Sequence, residues 1–172
     1  SGRMRAATHP GDFGGPMTQE PLQLIDLISS TLARLQPQFS DKGVALVLEK
    51  PKKLPTILGD RDRLSQVLIN LVGNALRYTP PGGEIALSAS SQDGKAHIVV
   101  SDTGPGIAPQ DLPHVFDRFY REDREVESGS TGLGLAIAKR ILELHGSEIR
   151  VASEEQRGTR FDFDLPIEAR AA

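Results

Sequence analysis

The alternation of helical and extended patterns is the feature that most constrains the fold of this chain. Apolar residues recur three or four positions apart in segments 20–39, 60–78 and 133–144, as on one face of an amphipathic helix. Strand-like segments lie between and after them, at 44–48, 56–58, 84–90, 95–102, 149–153 and 159–165. Helices mixed with hairpins in this order predict one layer of helices on one face of a mixed sheet.

Local signals set the ends of the predicted helices. Pro37 is expected to kink or restart the first helix, because proline lacks the N–H that helix geometry requires. Either Asp60 or Asp62 is placed to cap the second helix, which is expected to stop at the Thr-Pro-Pro-Gly-Gly run at 79–83. The third helix is expected to end at Gly146, since glycine readily adopts the left-handed conformation that closes helices.

Length and composition bound the domain organisation and exclude some partners. The chain has 172 residues, which suits one domain with a sizeable core. It has no cysteine, so disulfides and thiolate metal sites are excluded. A net charge of −3 gives no reason to expect nucleic acid or direct membrane contact. We expect residues 1–18 to be an expression remnant or flexible linker, residues 19–168 to form the domain, and residues 169–172 to be a tail.

Two asparagines in the second helical segment are candidate metal ligands. Asn70 and Asn74 are four residues apart, so their amides share one side of the helix, and Arg77 follows about one turn later. Amide oxygens suit a hard cation such as Mg²⁺, which keeps several waters and shares phosphate ligands. On spacing alone, two solvated or capping asparagines are slightly favoured over metal ligands.

Two glycine-rich motifs indicate a nucleotide. Asp102-Thr-Gly104-Pro-Gly106 follows a predicted strand, where a carboxylate next to glycines can accept a hydrogen bond from a closely approaching flat ligand. A plain Asp-Thr-Gly turn remains the alternative. The segment 129–134 leads into the third helix, whose free N–H groups form an anion site. It matches neither a Walker A loop nor a dinucleotide fingerprint, because the lysine and the glycine spacing of those motifs are missing.

Taken in order, these motifs resemble the N, G1, F and G2 boxes of the sensor histidine kinase catalytic domain. The resemblance covers residues 22–166 and includes Phe116-Asp-Arg-Phe119 between the two glycine motifs. It implies an α+β fold, a two-layer α/β sandwich of the Bergerat type shared with gyrase, MutL and the large heat-shock chaperone ATPases. The expected sheet is mixed, mainly antiparallel and five-stranded, with about three helices on one face and a mobile ATP lid at about 107–131.

The resemblance also implies roles for individual residues around ATP or ADP and Mg²⁺. Asn74 would be the principal metal ligand, with Asn70 close to the metal and the phosphates. Arg77 would face the phosphates and Tyr78 would lie against the adenine. Asp102 would accept a hydrogen bond from the adenine amino group.

The remaining implied site residues belong to the lid and to the glycine motifs. Phe116 and Phe119 would anchor the lid, and Arg118 or Arg121 would reach the γ-phosphate. Ile107 and Thr131 bound the lid and complete the expected nucleotide contacts. The other expected contacts are Gly104 and Gly106, which shape the pocket, and Gly132, Leu133 and Gly134, which offer backbone N–H groups to the phosphates.

The resemblance implies a protein histidine kinase domain that keeps the γ-phosphoryl group away from water. In the gyrase and MutL relatives a glutamate stands at the place of Asn70 and activates water, whereas an amide cannot act as a general base. The acceptor would be a histidine on a separate dimerisation domain, with relay to a response-regulator aspartate. No acceptor-like His-Glu/Asp-x-x-Thr-Pro motif is present, so we expect no autophosphorylation by the isolated chain.

The resemblance implies a cytoplasmic domain that is monomeric when isolated. It leaves open whether the parent protein is anchored in a membrane. Two other functions remain open at this stage. One is a true ATPase that drives a clamp or gate, against which Asn70 argues. The other is a non-catalytic module that senses nucleotide or docks partners, against which the intact asparagines and glycines argue.

Overall fold

The chain folds into a five-stranded sheet covered by helices and flanked by a small two-stranded sheet. The computed structural model describes residues 16–49, 53–118 and 133–168. A 3-10 turn, Leu112–His114, lies between β5 and α3. The strands and helices, in chain order, are β1 (Glu20–Gln23), α1 (Leu24–Lys42), β2 (Ala45–Glu49), β3 (Thr56–Gly59), α2 (Arg61–Tyr78), β4 (Glu84–Gln92), β5 (Lys95–Asp102), α3 (Gly134–Leu144), β6 (Arg150–Glu154) and β7 (Gly158–Pro166).

The main sheet is mixed and mainly antiparallel. Its strand order is β2-β4-β5-β7-β6, and only β2 and β4 run parallel. The central strands β4, β5 and β7 are the longest, and their registers bring Asp102 at the end of β5 opposite Thr159 at the start of β7. The sequence-based prediction of an α+β fold with three helices and a five-stranded mixed sheet is therefore confirmed.

The core lies between this sheet and the helices. Alternate residues of the central strands point inward and are buried, because successive side chains of a strand face opposite sides. They pack against the apolar stripes of the helices. Among the described residues, no helix is long and apolar enough to cross a bilayer. The innermost side chains include Ile85, Leu87, Ile98, Val100, Phe161 and Phe163 from the sheet and Leu27, Ile28, Leu64, Val67 and Leu71 from the helices.

The first predicted helix begins later than expected, and it does not restart at Pro37. The helical period suggested a start at Glu20, but Glu20–Gln23 is a strand whose Leu22 pairs with Ile57 of β3, and both side chains are buried. Pro37 does not interrupt the helix, since α1 continues to Lys42. The proline is exposed, so the Ala33 carbonyl that loses its partner lies at the surface, and buried neighbours on either side hold the helix together.

The ends of α2 follow the predicted signals. Asp60 is the cap, and its Oδ1 accepts a hydrogen bond from the Arg63 N–H at 3.2 Å. Its Oδ2 accepts a second one from the Thr18 N–H at 3.0 Å, which joins the start of α2 to the chain ahead of β1. The helix ends at Tyr78 because Thr79 precedes Pro80 and is extended, as residues before proline usually are.

Candidate functional site

Helices α2 and α3 meet where Asn70 of α2 faces Gly134, the first residue of α3. The Asn70 Nδ2 donates a hydrogen bond to the Gly134 carbonyl at 3.0 Å. The Asn70 Oδ1 accepts one from the Gln66 Nε2 at 2.6 Å, so both ends of the half-buried amide are engaged. A Cβ added to Gly134 would lie 3.9 Å from Asn70, in ordinary contact. Asn70 therefore ties the two helices together.

Asn74 lies one turn further along α2, about 6 Å along the helix axis. It is half-buried, and its amide has no hydrogen-bond partner among the described residues. Those residues also contain no group of three or more His, Cys, Asp or Glu side chains that could hold a metal ion. A divalent cation at this place would depend on amide oxygens, phosphates and water, which is how Mg²⁺ is commonly held. The free amide of Asn74 fits that role better than the engaged amide of Asn70.

The C-terminal end of α2 packs against the first glycine motif. Arg77 and Tyr78, which the sequence assigns to phosphate and adenine contacts, are both half-buried there. A Cβ on Gly104 would lie 2.9 Å from the Tyr78 carbonyl oxygen and 3.1 Å from Asp102 Oδ1. Only glycine allows this approach without displacement of the backbone, so the structure brings Tyr78, Asp102 and Gly104 together.

Asp102 ends β5 with its carboxylate held in a defined orientation. Its Oδ1 accepts a hydrogen bond from the Gly104 N–H at 2.8 Å. Burial raises the pKa of the Asp102 carboxyl above its ordinary value, and hydrogen bonds from the backbone of Gly104 and Thr159 partly offset this rise. The side chain is half-buried and still reachable. A half-buried carboxylate is a strong hydrogen-bond acceptor for the amino group of a ligand.

The loop after Asp102 is docked on the turn between β6 and β7. Gly106 has φ +81°, and a Cβ there would run into the Glu154 carbonyl. The Ile107 N–H donates to the Ser153 Oγ at 2.7 Å, and the Gln156 N–H donates to the Pro105 oxygen at 2.6 Å. These contacts fix the loop on the β6–β7 turn at the point where the predicted lid begins.

The first part of the predicted lid is anchored to the core by an aromatic pair. The Phe116 ring meets the Phe161 ring edge to face, with centroids 5.9 Å apart. Arg118 is exposed two residues later, and Leu133 is buried directly before α3. Four further residues that the sequence assigns to the site lie outside the described residues: Phe119, Arg121, Thr131 and Gly132.

Two polar residues of the site were not singled out from the sequence. Gln66 orients Asn70, and the signal for this was its position four residues before Asn70 on the same helix face. Ser153 holds the start of the lid through Ile107, and its Oγ also donates to the Gly158 carbonyl at 3.0 Å. Ser153 comes from a distant strand, so no local pattern in the sequence indicates it.

Comparison with known proteins gives consistent matches over this region. Residues 59–169 match the family model described as histidine kinase-, DNA gyrase B-, and HSP90-like ATPase. The chain is similar to the adaptive-response sensory kinase SasA of Synechococcus elongatus, with 39% identity over 142 residues that cover 82% of this chain. The chain spans only 37% of the length of that relative.

Solved structures give the same result. The mycobacterial sensor histidine kinase MprB superposes with a TM-score of 0.77 at 30% identity, covering 89% of this chain and 100% of that one. Full-length ShkA, solved in complex with AMPPNP, superposes with a TM-score of 0.79 at 33% identity, covering 92% of this chain and 33% of that one. The site described above thus lies within a region that this chain shares with sensor histidine kinases.

Proposed function

This chain belongs to the family of histidine kinase-, DNA gyrase B- and HSP90-like ATPases, as an ATP-binding catalytic domain of the sensor histidine kinase kind, and we propose that it binds ATP with Mg²⁺ and donates the γ-phosphoryl group to a histidine on a separate dimerisation domain. Domains of this family bind ATP. The magnesium ion, the acceptor and the individual residue roles are our proposal, as is the assignment of residues 19–168 to the catalytic domain.

The observation that carries the proposal is the contact between Asn70 and Gly134. It sets the asparagine face of α2 against the first turn of α3, and Leu133, directly before that helix, provides no side-chain cap. Free N–H groups at a helix start attract phosphate, and the Asn74 amide, which has no partner among the described residues, lies nearby on α2. The bound magnesium would neutralise phosphate charge, and Asn74 would hold it from the protein side.

The adenine would bind at the other end of the site. Asp102 accepts hydrogen bonds and its carboxylate is fixed by Gly104 at 2.8 Å, which suits the exocyclic amino group of adenine. The Tyr78 backbone lies close to Gly104, and the aromatic ring of this residue would cover the flat base. Gly104 and Gly106 let this loop pack closely against the Tyr78 and Glu154 carbonyls, and we propose that the base binds beside the loop.

The amide of Asn70 favours phosphoryl transfer over ATP hydrolysis. An amide does not remove a proton from water at neutral pH, so this position gives hydrolysis no general base. We propose instead that the site binds and orients the γ-phosphoryl group and offers it hydrogen-bond donors, which is what phosphoryl transfer needs from a protein. Arg77 would stabilise phosphate charge, and Arg118 or Arg121 would do so from the lid.

The histidines of the chain do not resemble the acceptor. His97 contacts Asp164 at 2.8 Å, His114 contacts Asp117 at 3.0 Å, and His145 is buried in a hydrogen-bonded position. His9 lies outside the described residues. We therefore propose that the acceptor histidine and the response regulator are separate partners, that the chain does not phosphorylate itself, and that the domain works in the cytoplasm, where ATP is available.

Calorimetric titration with Mg-ATP, followed by incubation with γ-labelled ATP, tests this function. We expect saturable binding of one nucleotide, little phosphate release, and no stable label on a histidine of this chain. Steady phosphate release that Asn74→Ala abolishes would favour an ATPase instead. No heat and no thermal shift with Mg-ATP would favour a module that only docks partners.

A further inference from the structure

A lysine outside the candidate site contacts the C-terminal end of α2, which carries Arg77 and Tyr78. Lys42 is the last residue of α1, a helix that contributes no residue to the candidate site. Its Nζ donates hydrogen bonds to the Leu76 carbonyl at 2.7 Å and to the Arg77 carbonyl at 3.0 Å. The side chain is half-buried, so these bonds are partly shielded from water.

These contacts complete the capping of α2. The last carbonyls of a helix have no partner within it and carry the negative end of the helix dipole. The Ala75 carbonyl accepts hydrogen bonds from the N–H and the hydroxyl of Thr79, at 3.0 and 2.7 Å. Lys42 supplies partners for the next two carbonyls together with a positive charge. A cation at a helix C-terminus stabilises it most when the geometry is partly buried.

Backbone bonds hold the same two segments together. The Gly82 N–H donates to the Gly43 carbonyl at 2.8 Å, and the Ala45 N–H donates to the Gly83 carbonyl at 3.0 Å. The end of α1 is therefore joined to α2 and to the turn that follows it. Within this joint, Lys42 is the side chain that reaches the backbone of Arg77, directly before Tyr78.

We propose that Lys42 is a positioning residue for the nucleotide site. By fixing the carbonyls of residues 76 and 77, it sets where Arg77 and Tyr78 stand relative to Gly104 and Asp102. Lys42 does not touch the nucleotide. Its loss loosens the last turn of α2 and weakens nucleotide binding without removing a ligand-contacting group. This inference rests on the proposed function, because it assumes that Arg77 and Tyr78 contact ATP.

The test compares Lys42→Met with Lys42→Arg, and with Lys95→Met as the matched control. Lys95 is exposed at the start of β5, at the opposite end of that strand from Asp102, and its loss changes the net charge equally. Calorimetry with Mg-ATP is run well below the melting temperature of each variant. We expect Lys42→Met to raise the Kd about five- to tenfold, as for the loss of a charged hydrogen bond. Lys42→Arg is expected to stay close to the wild type, as is Lys95→Met.

Amide exchange separates positioning from general destabilisation. The proposal expects faster exchange in Lys42→Met at the amide of Thr79, with β5 residues Ile98 and Val100 unchanged. An unchanged Kd in Lys42→Met overturns the inference, and so does a weaker Kd accompanied by uniformly faster exchange across β5. Failure of the wild-type chain to bind Mg-ATP overturns the proposed function itself, which is a different result.

Discussion

The carbonyl oxygen of Gly134 accepts a hydrogen bond from the side-chain amide of Asn70 at 3.0 Å, so the first residue of α3 is tied to the middle of α2. Gln66 holds the other end of the same amide at 2.6 Å. The chain Gln66–Asn70–Gly134 thus fixes where the free N–H groups of α3 stand relative to the asparagine face of α2.

Breaking this chain is expected to cost stability. Asn70→Ala removes the hydrogen bonds of the bridging amide to the Gly134 carbonyl and from the Gln66 side chain, which we expect to cost about 1–3 kcal/mol of unfolding free energy. Gln66→Ala is expected to cost less, about 1 kcal/mol, because the Asn70 bond to Gly134 remains. Urea unfolding of both variants and of the double variant measures the coupling. Strictly additive effects would show that the two side chains act independently.

Asn74→Ala is expected to weaken Mg-ATP binding strongly with little effect on folding. Its amide has no partner among the described residues, so its removal breaks no described hydrogen bond within the protein. We expect the Kd for Mg-ATP to rise at least about tenfold and the magnesium dependence of binding to fall. Gln38→Ala, an exposed amide on α1, is the control. Unchanged magnesium dependence in Asn74→Ala would remove this residue from the metal site.

Asp102→Asn is expected to improve stability while it weakens binding. Burial raises the pKa of the Asp102 carboxyl in the folded protein, so folding disfavours its ionised form relative to the unfolded chain. The resulting stabilisation is present below the unfolded pKa and is lost as pH rises through the folded pKa. At neutral pH the uncharged asparagine should therefore be at least as stable as wild type, with the difference shrinking on acidification.

The affinity of Asp102→Asn for nucleotide is expected to fall. Replacement of the anionic acceptor is expected to raise the Kd for ADP at least about tenfold. Asp93→Asn, at an exposed turn with φ +51°, makes the same charge change as a control. ADP affinity equal to wild type in Asp102→Asn would exclude Asp102 from adenine recognition.

Two Gly→Ala substitutions are expected to have opposite effects. A Cβ at Gly104 would lie 2.9 Å from the Tyr78 carbonyl, so we expect Gly104→Ala to destabilise, by about 1–3 kcal/mol, the usual cost of overpacking. A Cβ at Gly73, inside α2, would meet nothing within 4 Å. Gly73→Ala should therefore stabilise by about 0.5–1 kcal/mol, since alanine favours helix. Thermal unfolding of both variants checks the sign, and a stabilising Gly104→Ala would contradict the close approach.

His145 is expected to matter for stability and His114 is not. His145 is 6% exposed, donates from Nδ1 to the Ile141 carbonyl at 2.9 Å and accepts from the Asp60 N–H at Nε2, 3.0 Å away. His145→Ala should cost about 1–3 kcal/mol in urea unfolding, because it orphans the N–H of the residue that caps α2. The exposed His114 gives the matched control, with an expected change within about 0.5 kcal/mol for His114→Ala.

Periodicity was sufficient to predict the helices and the main sheet, because each of those elements has one buried face. It failed at Glu20–Gln23, where Leu22 fits the helical spacing of the residues after it but is buried by pairing with Ile57. That partner is 35 positions away, and nothing near Leu22 in the chain indicates it. The expected restart at Pro37 does not occur, because the cost of the proline falls on an exposed carbonyl.

The candidate site was predictable as motifs but not as contacts. The spacing of Asn70 and Asn74 gave the shared helix face, whereas the division between an engaged amide and a free one required the positions of Gln66 and Gly134. The docking of Ile107 on Ser153 likewise joins segments that are 46 residues apart. Local patterns carry no information about such pairs.

The two-stranded sheet of β1 and β3 has a mechanical consequence. The hydrogen bonds between β1 and β3 lie across the direction of the chain, and Thr18 is tied to Asp60 at 3.0 Å. Tension applied ahead of Glu20 would load this ladder in shear and pull on the residue that caps α2. A force on the leading segment would thus reach the asparagine-bearing helix from the end opposite to Tyr78.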